Sequence, residues 1–154
     1  MRGRLFVLAG CFMAAVVGSS ALRAGGVATG TLQISLVVVA SCSVQTEPLT
    51  FAAYKTGGAS TGTATPGGID VSCTKGTPAA VYVEGNRTLT GPNGNTVAYT
   101  LQANGQPWPA GQAVNVEGQG SSNAVHLTVT GSVAAGQQVA LGNYGAAEVV
   151  RVIY

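Results

Sequence analysis

The side chains that could do chemistry in this sequence are few and widely spaced. His126 is the single histidine. It alternates with Val125 and Leu127, so on a strand it faces the polar side beside Thr128 and Thr130, where an ordinary surface histidine is expected. Of the acidic residues Glu47, Asp70, Glu84, Glu117 and Glu148, no two have a spacing that suggests shared acid–base work. No serine sits in a nucleophile-elbow context, and Gly118 to Gly120 lacks the strand-to-helix setting and the lysine of a phosphate loop. Trp108, within Gln106-Pro107-Trp108-Pro109, could stack on a sugar ring, but a packed loop anchor is the expectation. Asn86-Arg87-Thr88 matches a glycosylation acceptor, a pattern short enough to arise by chance. These residues predict a protein that is not an enzyme, with no catalytic residue, metal, cofactor or small-molecule substrate. A secreted hydrolase is the least supported class.

Cysteine carries more information, through the compartment in which it is found. Arg2 and Arg4 precede an apolar stretch from Leu5 to Gly18 that ends in small residues. This is the layout of a secretory signal, which assigns residues 1–24 to a signal peptide cleaved after Ala21 or after Ala24. Cys11 leaves with that segment, so the exported chain keeps Cys42 and Cys73 as its two thiols. An oxidising compartment makes their pairing the natural reading, whereas a metal site would lack further ligands. Once bridged, neither can act as a nucleophile.

Composition narrows the class further. The 154 residues suit one domain with short appendages. Charged residues are 8%, well below the share in an ordinary soluble domain, and the 23 glycines are about twice the usual fraction. Three of the seven basic residues lie before Gly25, which leaves four basic against five acidic residues in the exported chain. No basic patch remains to hold phosphate, which argues against nucleic acid as a partner.

The elements that must position these residues read as strands. Val81 and Val83, then Val97, Tyr99 and Leu101, then Val125, Leu127 and Val129, and finally Val150, Val152 and Tyr154 alternate with polar or small neighbours. That period of two is the half-buried strand signature, and no window carries a helical stripe. Turn chemistry interrupts it at Gly57-Gly58, Pro66-Gly67-Gly68, Pro92-Asn93-Gly94, Asn104-Gly105 and Gly118 to Gly120. The expectation is an all-β, antiparallel sandwich around one core. Ala28 to Ala40 behaves differently, with small or apolar residues at every even position and Thr29, Thr31, Gln33 and Ser35 among the odd ones. Thirteen alternating residues exceed a typical strand. The portion near Cys42, where Val37 and Val39 make both faces apolar, suits a first core strand, and the portion before it an exported arm. An ordinary first strand throughout is the competing reading.

At this point the residues carry a resemblance. Cys42-Ser43-Val44, Leu49-Thr50-Phe51-Ala52-Ala53-Tyr54 and Gly68-Ile69-Asp70-Val71-Ser72-Cys73-Thr74 follow the order found in the spore coat protein U domain family. Gly85, Val97-Ala98-Tyr99-Thr100-Leu101, Gly142-Asn143-Tyr144 and Val150 through Tyr154 continue the match. The chain departs from the family's pattern at Ala52-Ala53, where Gly-x is common, and at Ala146, where an acidic residue is common. Glu148 stands where the family's last strand usually carries an inward apolar residue.

The resemblance implies an incomplete immunoglobulin-like sandwich lacking its final strand, as in archaic chaperone-usher pilus subunits. It implies that residues 25–36 form a donor-strand arm with Ala28, Gly30, Leu32, Ile34 and Leu36 as donor side chains, and that residues 37–154 form the pilin-type domain. It further implies a homo-polymer built by β-strand addition, with a periplasmic chaperone and an outer-membrane usher as partners. The chain would then reach the cell surface as a fimbrium that supports adhesion or biofilm formation. The alternative is an exported, coat-associated or binding module whose arm closes its own sandwich and which stays monomeric.

Overall fold

The computed structural model describes residues 25–154, so the signal peptide expected over residues 1–24 lies outside the described residues. Two units are distinguished, one ending at Leu36 and one spanning Val37–Tyr154. In the first, residues 25–36 have no regular secondary structure and are exposed throughout.

The second unit is built almost entirely of strands: β1 (Cys42–Glu47), β2 (Thr50–Phe51), β3 (Thr61–Thr65), β4 (Gly67–Cys73), β5 (Pro78–Glu84), β6 (Thr88–Thr90), β7 (Thr96–Ala103), β8 (Gln106–Pro107), β9 (Val114–Glu117), β10 (Val125–Val133) and β11 (Val149–Ile153). They form two antiparallel sheets. The larger has the order β1-β4-β10-β3-β2, with β7 also on β10 and with β6 and β8 attached to β7; the smaller has the order β11-β5-β9. β10 divides its pairing along its length. Val125–Val129 faces β4, and Val129–Val133 faces β7.

Alternation explains how these strands bury one face. Along β7, Val97, Tyr99, Leu101 and Ala103 are buried while their neighbours are exposed. Val71 and Cys73 of β4, Val81 of β5 and Leu127 and Val133 of β10 are the most deeply buried side chains. Facing apolar side chains from two sheets make a single core, and the sandwich expected from the period of two is the fold observed. Trp108 is 2% exposed and its indole Nε1 donates to the Gln112 carbonyl at 2.9 Å, so it is a packed loop anchor rather than a sugar platform. Asn104 and Gly105 both have positive φ, 49° and 78°, as a two-residue hairpin of the primed type requires between β7 and β8.

Three local expectations are corrected. Val37 and Val39 do not begin a core strand: they precede β1, lack strand structure and are exposed. Gly67 and Gly68 are not turn residues but the buried start of β4. A Cβ on Gly67 would lie 3.0 Å from both the Glu47 carbonyl oxygen and Leu49 Cβ, so glycine there serves close approach of the chain after β1. Tyr154 follows β11 and is exposed, leaving Val150 and Val152 as that strand's inward side chains.

Cys42 and Cys73 are directly opposed across β1 and β4, with Cα atoms 4.1 Å apart, and they form a disulfide. The bridge closes a separation of 31 residues between two strands that are already neighbours. It therefore locks β1, the edge strand, to the sheet.

Candidate functional site

β1 pairs only with β4, and β11 pairs only with β5, so each presents a free backbone edge within the described residues. Near these edges a cleft of about 1040 Å³ reaches inward to half-buried Phe51 and to Ile69, Val83, Leu101, Val129 and Val133, which lie buried at its floor. β1 and β11 also approach each other, with Cα atoms within 8 Å, and Val44 and Val152 of these strands pack against the core.

The outer wall of the cleft is the segment between β10 and β11, which forms no strand of its own and is held by both side-chain and backbone hydrogen bonds. Gln137 imitates a strand neighbour for β7: its Oε1 accepts from the Ala98 N–H at 2.8 Å and its Nε2 donates to the Ala98 carbonyl at 2.9 Å. The Tyr54 hydroxyl accepts from the Gln137 N–H at 2.7 Å. Further on, Gly145 exchanges backbone hydrogen bonds with Thr90 of β6 at 2.9 and 3.0 Å. Leu141, on the same segment and lining the cleft, is fully exposed.

The lining also carries polar side chains, Glu47, Lys55, Asn143 and Glu148 among them, and Glu148 is the one tied into a buried network. The Glu148 carboxylate, one residue before β11, accepts a hydrogen bond from the Tyr99 hydroxyl and lies 3.6 Å from Arg87 Nη1. The Arg87 and Glu148 side chains are 10% and 16% exposed. Arg87 Nη2 donates to the Val83 carbonyl at 3.1 Å, whereas Arg87 Nε, Arg87 Nη1 and Glu148 Oε2 are buried without a hydrogen-bond partner. Burial, then the hydrogen bond to Glu148, pushes the Tyr99 phenol well above the usual tyrosine range. The Tyr99 ring also stacks at a tilt against Phe51, with centroids 5.6 Å apart, and so forms part of the cleft floor. Sequence reasoning missed this network. Its one signal was Glu148 itself, an acidic residue at an apolar position, while Arg87 lay unremarked within the Asn-Arg-Thr tripeptide.

The other singled-out residues are placed as follows. His126 is outward-facing but not isolated: it stands opposite Asp70 across β10 and β4, with Nδ1 2.8 Å from Asp70 Oδ1. Glu84 meets Arg151 across β5 and β11, and the Arg151 guanidinium lies 4.9 Å over the Tyr82 ring. Among the described residues, no three His, Cys, Asp or Glu side chains are grouped to hold a metal ion. Ala28, Gly30, Leu32, Ile34 and Leu36 are all exposed, the last three at 81%, 84% and 86%. No described helix is long and apolar enough to cross a membrane.

Two antiparallel sheets around one core, with unpaired edges beside a cleft, define an open-edged β-sandwich. The chain belongs to the Spore Coat Protein U domain family, whose model matches residues 28–151. No curated protein matches it.

Proposed function

We propose that this chain is an exported structural subunit of a surface fibre of the chaperone-usher type, polymerised by β-strand addition. The cleft is the observation that carries the reading. A cleft floored by core side chains and flanked by two unpaired edges has room for one more strand, and main-chain pairing together with alternate side-chain burial is the physics of strand addition. A permanently open edge of this kind is an aggregation hazard. A periplasmic chaperone covers it first, and the arm of the next subunit replaces the chaperone at an outer-membrane usher.

The arm has the matching form. Leu32, Ile34 and Leu36 alternate with Gln33 and Ser35, and an extended strand places the three apolar side chains on one face. Ala28 and Gly30 supply smaller side chains toward its tip. Assembled in this way, the chain forms a homo-polymer at the cell surface that supports adhesion or biofilm formation.

The monomeric alternative, in which the arm closes its own sandwich, predicts a different oligomeric state. In unboiled cell-surface extract, a ladder of subunit-sized steps is expected on a gel, and electron microscopy should find fibres that are lost from a strain lacking the chain. A single monomer band with unchanged fibres would favour the self-closed module.

A further inference from the structure

An apolar cleft in a folded chain has a simpler fate than binding a partner: its walls can close on each other and remove the same surface from water. Here the wall contains a group that resists such closure. The Glu148 carboxylate projects over Gly85, into the space that any Cβ at that position would occupy, and is tied to Tyr99 of β7 and to Arg87 between β5 and β6. Three elements are thereby fixed at the point where β11 begins. Closing apolar side chains over this group would strip the remaining solvent from the Glu148 side chain, which is 16% exposed and whose Oε2 already lacks a hydrogen-bond partner. A half-satisfied buried network of this kind costs stability, and its presence in the wall of the cleft calls for a reason.

We infer that Glu148 is the positioning residue of the cleft: held by Tyr99 and Arg87 over Gly85, its carboxylate keeps the apolar walls apart and so keeps the cleft able to accept a strand. The inference rests on the strand-accepting reading of the cleft and adds that stability is given up for it. Replacing a buried ion pair by apolar residues is often stabilising, whereas removing one partner alone leaves a buried charge uncompensated. The informative variant therefore changes both partners, Arg87→Met with Glu148→Leu.

The test uses the purified mature chain and a fluorescently labelled synthetic peptide of residues 25–36, with capture followed by polarisation and stability by thermal unfolding. Wild type should capture the peptide. The double variant should unfold at the same temperature or higher, yet capture at least tenfold more slowly; a purely structural role would instead lower the unfolding temperature and leave the capture rate of the folded fraction unchanged. Glu148→Gln retains the side-chain shape and an acceptor for Tyr99 and should fall between the two, so it decides the matter if the double variant does not fold. Capture at the wild-type rate by either folded variant overturns the positioning role while leaving strand addition intact. Failure of wild type to capture the peptide overturns strand acceptance, and this role with it.

Discussion

Gly85 leaves open the space that the Glu148 carboxylate fills. With φ at +151° and a Cβ position that would overlap that carboxylate, it is the one place where backbone conformation and the polar network impose the same residue. Gly85→Ala should destabilise the domain by about 1–3 kcal/mol through backbone strain and displacement of Glu148. Denaturant unfolding measures this, and a change below about 0.5 kcal/mol would show that the carboxylate simply moves aside.

The Tyr99 phenol gives a pH dependence of definite sign. Its folded-state pKa is raised, so the folded state holds the proton more tightly than the unfolded chain, where tyrosine titrates near about 10. The associated stability is fully present below that pH and is lost as pH rises above it. Wild type should lose stability on going from pH 9 toward pH 11 more steeply than Tyr99→Phe. Identical alkaline slopes would refute the assignment.

The disulfide reinforces an edge strand that is otherwise held on one side by its ladder with β4. In the chain-entropy model, closing a loop of this length stabilises by roughly 3–4 kcal/mol. Cys42→Ser or Cys73→Ser should sharply lower periplasmic accumulation. Alkylation and mass spectrometry of the native protein should find both thiols blocked from reaction.

His126 and Asp70 form a pair in which both side chains are substantially exposed, and such pairs contribute little. His126→Ala should leave stability within about 1 kcal/mol and fibre yield unchanged. Loss of assembly in that variant would assign this face a role in subunit contact.

The arm separates the functional readings most directly. Fully burying Leu32, Ile34 and Leu36 in a neighbour should contribute about 1.5–3 kcal/mol each before ordering costs. Ile34→Asp forces an unpaired carboxylate into that apolar setting and should abolish polymerisation while leaving an exported, disulfide-bonded, chaperone-bound subunit. Gln33→Asp, on the opposite face, should still polymerise. Normal fibres from both variants would remove the arm from the mechanism, and unfolding of the Ile34→Asp monomer would point to self-closure.

Local pattern was enough to determine the strand class, the buried faces of β5, β7 and β10 and the pairing of Cys42 with Cys73. A strand's inward face follows from a period of two, and with Cys11 assigned to the expected signal segment, Cys42 and Cys73 have only each other. Tertiary structure decided what depends on residues far apart in the chain. The sequence marks Gly67-Gly68 as a turn because glycine is common in turns, yet here glycine admits the chain after β1 at close range. Val37 and Val39 look like core because both faces are apolar, but a strand is buried only where a neighbouring sheet covers it. Arg87, Tyr99 and Glu148 are separated by up to 61 positions and no spacing rule links them. Only the approach of β11 to β5 and β7 brings them together, because a buried charge finds its partner through the packing of sheets rather than through the order of residues.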